Sequence, residues 1–227
     1  MIDTDFYIKS YEIQKAIENK QKFDKDEIYN KLEALRKKEE LFVYNIETTN
    51  ACNMKCKMCP RTTMMTRSIS TIDMNLFKRI VDQLKPVDPE AWRRWEKFIE
   101  ETYGIPKDAM AENHFFLHII PKVIQLHGYG DPLLDPNINE FVKILTERGF
   151  ETYFSCNPSN INVESTVKLF KNGLSYIKYS IESIDDEKHK EIRGYASNFT
   201  ESYEKILRLL ELKKQLNLKN YNNNNYD

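Results

Sequence analysis

No run of about 18 uninterrupted apolar residues occurs anywhere in this 227-residue chain, which leaves no candidate for a membrane-spanning helix. The first residues, MIDTDFYIKSYEIQ, hold no basic segment followed by an apolar one, so they do not read as a secretory leader. Charge of one sign is missing too. With 34 basic and 35 acidic side chains, the overall balance draws the chain neither to nucleic acid nor to a membrane surface. Cysteine is scarce, at four residues, and a chain with 41% hydrophobic residues has core enough to fold without disulfide staples. These absences predict a cytoplasmic protein of one domain, or of one domain and a small appendage. In that reducing compartment closely spaced cysteines are more often metal ligands or redox groups than bridges.

Three of the four cysteines, Cys52, Cys56 and Cys59, fall within one short stretch, NIETTNACNMKCKMCPR. Ahead of it, Tyr7 to Glu40 is rich in Lys and Glu, with Ile13, Ile17, Ile28, Leu32 and Leu35 at helical spacing, and predicts two amphipathic helices. The run LFVYNIETT, β-branched and aromatic, predicts a buried strand that ends where Thr48, Thr49 and Asn50 begin a loop. A helix is predicted from about Ile72 to Leu84, with Asp73 near its start and Pro86 beyond its end. The segment at about 87–120 is bounded by prolines and mostly helical in pattern, and it reads as an insertion. Within it His114 and His118 are surface or packing residues, and Arg93 and Arg94 beside Trp92 and Trp95 form a solvated face with aromatic anchors.

The pattern then becomes regular: strand KVIQLHG, helix NINEFVKILTERG, strand ETYFSCN, helix VESTVKLFKNG, strand YIKYSIES, and a helix from about Thr200 to Leu216. Strands alternating with helices predict a parallel sheet, and ligands bind such sheets where the strands' C-terminal ends open into loops. The cysteine loop lies on that rim. The predicted layout is a helical segment over 1–41, an α/β domain over 42–218 carrying the insertion, and a low-complexity, disordered tail over 219–227.

A loop with the spacing Cys-x3-Cys-x2-Cys is short enough to point three thiolates at one metal centre. The missing fourth ligand is informative, because structural zinc is usually closed by four ligands, often in two separated pairs, and there is no second pair. A [4Fe-4S] cluster held by three cysteines leaves one iron open. Zinc, or a disulfide with a spare thiol, is the alternative at this point.

That spacing after the first strand of a βα series resembles the radical S-adenosylmethionine (radical SAM) superfamily. Later strand ends carry similar marks in the same order. HGYGDPLLDP resembles the glycine-rich motif that receives the methionine ammonium, SCNPSN the loop that often holds Thr-Asn-Gly, and SIESIDDEKHKEIRG a stretch of the subgroup with a C-terminal SPASM or twitch domain. The resemblance covers about Phe42 to Leu216. It implies an α/β fold that is a partial (βα)6 barrel, with about four βα units preceded by the N-terminal helices. It also implies a [4Fe-4S] cluster on Cys52, Cys56 and Cys59 and S-adenosylmethionine as cofactors. The implied chemistry is reductive cleavage to a 5′-deoxyadenosyl radical that abstracts hydrogen from a peptide or small-molecule substrate, with an electron donor such as flavodoxin or ferredoxin as partner.

Residue roles follow from the same resemblance. Gly128 and Gly130 let the backbone approach the methionine end, and Asp131 accepts from its ammonium, although Glu is commoner there. Ser180 and Glu182 face the ribose or the methionine carboxylate, and Arg193, placed at the start of the following helix, grips that carboxylate with its planar fork. Asn157 sits in the third motif loop, and Met58 serves the adenine where an aromatic residue is usual. The plainer readings are a βα turn for Gly128 to Asp131, a turn residue for Asn157, and packing for Cys156 and His127. Since the family's barrel normally has six βα units, the chain is expected to be an incomplete catalyst that needs a further C-terminal portion or a partner chain. A zinc-binding interaction protein and an inactive relative are the alternatives.

Overall fold

The computed structural model describes residues 1–22, 24–36 and 40–218, so the Asn-rich tail at 219–227 lies outside the described residues. In chain order the elements are α1 (Thr4–Glu18), α2 (Lys25–Arg36), α3 (Pro60–Met64), α4 (Met74–Val81), α5 (Pro89–Tyr103), β1 (Val123–Gln125), α6 (Ile138–Glu147), β2 (Glu151–Cys156), α7 (Val163–Lys171), β3 (Tyr176–Tyr179), α8 (Asp186–Arg193) and α9 (Phe199–Gln215). They divide into two compact units, Met1–Tyr44 with Gln83–Val123, and Asn45–Asp82 with Ile124–Asp227. No described helix is long and apolar enough to cross a membrane.

The first unit joins the N-terminal helices to the segment predicted as an insertion. Helix α5 begins at Pro89, whose missing N–H costs nothing in a first turn, and Asp88 caps it by accepting from the Ala91 N–H at 2.8 Å. It ends at Gly104, where φ is +68°, a left-handed stop suited to glycine. Trp95 and Ile99 on its inner face are buried, and the rings of Tyr11 from α1 and Phe98 from α5 meet edge to face at 5.3 Å. Arg94 forks onto Asp5 of α1 at 3.1 Å, while Arg93 stays in solvent. His114 and His118 are packing residues: both are buried, stack at 5.0 Å, and lie 2.7 and 3.0 Å from the carbonyls of Lys107 and Ile105.

The second unit holds the sheet, in the order β1-β2-β3, with β2 and β3 parallel and Tyr153 opposite Tyr176. The run LFVYNIETT, predicted as a strand, forms isolated bridges instead. Leu41 bridges Leu84 within the first unit, whereas Asn45 bridges Gln125 within the second, with the Ile46 N–H donating to the Gln125 carbonyl at 2.8 Å. A run that changes partner at Tyr44 has no two consecutive pairs from which to build a ladder. Its second half still lies parallel beside β1, so four consecutive lanes line up in chain order, as one wall of a βα barrel requires. Helix α4 is shorter than predicted, since Leu84 is taken up by its bridge and Asp73 caps the helix at Leu76.

Helices α4 and α6 close one face of this unit through Phe77 and Phe141, both fully buried with ring centroids 4.2 Å apart. Phe141→Ala is expected to cost about 3–5 kcal/mol, read as a lower urea midpoint with an unchanged slope. Beside the sheet, burial holds the His127 imidazole down at about 4, with Lys178 adding to the effect, and its Nδ1 accepts from the Ser155 N–H at 3.4 Å. The unfolded chain takes up this proton below the ordinary 6.5 while the folded chain refuses it until about 4. Stability therefore falls as pH drops through that window, by at most about 1.4 kcal/mol per unit from this group. His118 and His189 are depressed in the same direction. Comparing urea unfolding at pH 7 and pH 5, His127→Gln is expected to lose less stability on acidification than the parent.

Candidate active site

The cysteine loop has almost no regular structure of its own, and its neighbours supply its hydrogen bonds. On entry, Thr48 to Asn50 is zipped to 68–72: the Ile72 N–H donates to the Thr48 carbonyl at 2.7 Å, and Asn50 takes the Ser70 N–H on its side chain at 2.8 Å. On exit, Pro60 starts α3, and Arg61 reaches back to the Asn50 carbonyl at 2.9 Å. Between these ends, the N–H groups of Lys55 and Lys57 donate to the carbonyls of Arg193 and Ile192 at 3.0 and 2.9 Å. The loop thus serves as the C-terminal cap of α8, whose last carbonyls would otherwise lack partners. Gly194 permits this approach. Its φ is +99°, and a Cβ there would stand 3.0 Å from the Lys55 nitrogen.

All four cysteines are free thiols, with Cys56 and Cys156 buried and Cys52 and Cys59 half-buried. Burial pushes the Cys52 and Cys56 thiols up, and at Cys56 the nearby Arg193 guanidinium, with Nη1 at 3.8 Å from Sγ, works against that rise. Cys156 on β2 is pushed up well beyond its ordinary value by burial, which makes it an inert core thiol. Among the described residues no three His, Cys, Asp or Glu side chains converge on a point that would hold a single metal ion. A [4Fe-4S] cluster takes its thiolates on separate irons, so three thiols spaced along one loop, with a cationic side chain beside the buried one, suit it chemically.

The glycine-rich turn packs directly on this loop. A Cβ on Gly128 would lie 2.5 Å from the Glu47 carboxylate, and one on Gly130 would lie 2.1 Å from the Thr49 carbonyl oxygen. The close approach that needs glycine at 130 is thus to the backbone of Thr49 to Ala51. Asp131 is 4% exposed, and its carboxylate is already committed. It accepts from the Leu133 N–H at 3.0 Å, the Asn157 N–H at 2.9 Å and the Asn160 amide at 2.8 Å, while its own N–H donates to the Ala51 carbonyl at 2.8 Å. Burial raises this carboxyl and the three donors hold it back.

The other motif residues gather near the same loops. Asn157 is buried, caps the turn at Ser159, and sends its amide to the Ser197 hydroxyl at 3.1 Å. Ser180 lies 3.1 Å from the Ser155 hydroxyl, and Met58 is exposed on the cysteine loop. Arg193 ends α8 instead of starting a helix, because Asp185 caps the helix eight residues earlier and Gly194 stops it. Its guanidinium pairs with Glu182 as well as approaching Cys56. Three supporting residues carry no assigned role in the sequence reading. Glu47 receives the Tyr129 N–H at 2.6 Å and Arg67 at 2.8 Å, Asn160 reaches Asp131, and fully buried His189 accepts from the Glu182 N–H at 3.5 Å. A carboxylate inside an apolar run was the available sign for Glu47.

Gly130→Ala forces a methyl against backbone, which cannot swing aside as a flexible side chain would. It is expected to destabilise the chain by about 1–3 kcal/mol in urea unfolding and to impair iron uptake on reconstitution.

The family model described as the radical SAM superfamily matches residues 46–226. No curated protein sequence matches the chain. Among solved structures, "HydG: A maturase of the [FeFe]-hydrogenase" is 16% identical, over 91% of this chain and 44% of its own, with a TM-score of 0.46. BtrN "in complex with AdoMet and 2-DOIA" is 17% identical over 67% of this chain and 52% of its own, with a TM-score of 0.42. SuiB of Streptococcus suis, bound to S-adenosylmethionine, is 19% identical over 93% and 49%, with a TM-score of 0.38. The chain spans about half the length of these solved proteins. Enzymes of the matched superfamily work with a [4Fe-4S] cluster and S-adenosylmethionine, and the family match takes in the whole cysteine loop, the glycine-rich turn and α8. The chain belongs to the radical SAM superfamily.

Proposed function

We propose that Cys52, Cys56 and Cys59 hold a [4Fe-4S] cluster and that the loops at the ends of β1, β2 and β3 receive S-adenosylmethionine beside it. The observation that carries this reading is the loop itself, three free thiols within a few residues, braced by the Gly128–Asp131 turn and by the end of α8. When bound, this cofactor pair supplies reductive cleavage to a 5′-deoxyadenosyl radical that takes hydrogen from a C–H bond. The chain's own residues bind, orient and exclude water. The Gly128 to Asp131 turn offers its backbone to the methionine end, since the Asp131 carboxylate is occupied by three donors. Arg193, partnered by Glu182, brings a positive charge toward the methionine carboxylate, Ser180 faces the ribose or that carboxylate, and Asn157 stands in the loop after β2. Exposed Met58 gives the adenine an apolar contact.

In this proposal the electron comes from a small carrier of the flavodoxin or ferredoxin class, and the substrate is a peptide or a small molecule. The Ser180, Glu182, His189 and Arg193 pattern supports the subgroup with a SPASM or twitch domain. A reducing cytoplasm suits four free thiols.

The test is anaerobic reconstitution of the parent chain, Cys56→Ala and Cys156→Ala with iron and sulfide, followed by iron analysis and visible spectra. A brown chromophore bleached by dithionite is expected in the parent and Cys156→Ala, with more than half of the iron lost in Cys56→Ala. A colourless parent holding one zinc, or equal loss in both variants, overturns the assignment.

A further inference from the structure

The three loops at the sheet's rim are far apart in sequence, yet a single chain of side chains joins them. Asn160, in the turn after β2, donates from Nδ2 both to Asp131 Oδ2 at 2.8 Å and to Asn53 Oδ1 at 3.0 Å, and its Oδ1 accepts from Asn53 Nδ2 at 2.8 Å. Asn53 lies between the first two cysteines of the loop. An ionised carboxylate only accepts hydrogen bonds, so the edge of the Asn160 amide that faces Asp131 must be its NH2 group. That choice turns Oδ1 toward Asn53 and fixes the Asn53 amide in the reciprocal orientation. Both N–H groups and the carbonyl of Asn160 are then in use. Aspartate at 160 would only accept and would set a second charge against Asp131, serine has a single donor, and glutamine carries its amide one methylene too far.

We propose that Asn160 and Asn53 are positioning residues, which set the register of the cysteine loop against the loop after β2. This rests on the cluster reading above. The Asp131 N–H on the Ala51 carbonyl, and the Asn157 N–H on the Asp131 carboxylate, fix the root of the loop before Cys52. The paired amides fix the span that follows it. Hydrogen bonds from Lys55 and Lys57 then tie down the span around Cys56. Without the amide pair, Asn53 loses its side-chain hydrogen bonds to the β2 loop, and the first thiol moves relative to the second.

The test uses the full chain, reconstituted anaerobically, with Asn53→Ala, Asn160→Ala, the double substitution and Asn160→Asp. A ferrous chelator measures how fast iron is stripped, and electron paramagnetic resonance of the dithionite-reduced protein records the change on adding S-adenosylmethionine. Each single alanine is expected to speed iron loss several-fold and to diminish that spectral change, with the double variant no worse than the worse single, as for two residues acting through one contact. Asn160→Asp should be at least as damaging as Asn160→Ala. Asn53 is exposed, so metal-free Asn53→Ala is expected to melt within about 2 °C of the parent. A larger fall would mean a role in the fold at large and overturn the proposal. Parental iron loss in Asn53→Ala, or a double variant whose acceleration is the product of the two singles, also overturns it. A parent that takes up no iron chromophore defeats the cluster reading and this proposal together, and that result is distinguishable because it is seen before any substitution is made.

Discussion

A buried carboxylate without a cation in hydrogen-bonding contact must find N–H donors, and the organisation of the rim follows from how Asp131 finds its three. One is local and forms the turn at Leu133; the other two come from the backbone of Asn157 and the side chain of Asn160. Each donor satisfied brings a different piece of chain to the same place, because an acceptor with fixed lone-pair directions specifies where its donors stand. The cost of leaving any of them unmade is high at 4% exposure, which gives this contact a specifying role beyond its net contribution to stability. Gly130 completes the constraint from the other side. With hydrogen in place of a side chain, the Asp131 N–H can reach the Ala51 carbonyl, and the turn and the cysteine loop become one packed object.

The cysteine loop illustrates a general problem of metal loops. Cysteines at x3 and x2 spacing fit neither a strand's alternation nor a helix face, so the backbone between them cannot satisfy itself. Here the helix that follows the last strand lends its C-terminal carbonyls, and a left-handed glycine clears the way. Arg193 is drawn into the same arrangement. Its carbonyl caps the loop while its guanidinium spans from Glu182 to Cys56, so the backbone and side chain of one residue act on both the position and the charge of the second thiol.

Much of this was legible in the sequence where it rests on periodicity or on turn chemistry. The α6, α7 and α9 segments, the βα order and the rim position of the cysteines follow from spacing alone, and the glycines at 128 and 130 mark a close approach. What escaped was whatever depends on partners far away in the chain. LFVYNIETT has strand composition, but its pairing divides between two units, which no local pattern records. Arg193 looked like the start of a helix because the Asp185 cap lies in a run of charged residues without apolar rhythm. The close approach at Gly130 was read as room for a ligand, whereas its neighbour is the chain itself. Asn160 is one asparagine among several in a turn, and only the geometry shows that both ends of its amide are used.

The sheet's far edge is governed by the same demand for hydrogen-bond partners. Among them β3 pairs with β2 and with no other strand, so a row of its backbone groups faces outward, where it would template pairing with any extended segment. Lys178 is exposed at the middle of that strand, and a charged side chain there discourages indiscriminate pairing without preventing a specific one. Meanwhile the polar side chains of the rim are engaged with one another: Asp131 with Asn160, Asn157 with Ser197, Glu182 with Arg193. A rim built this way is organised to hold its own loops in register.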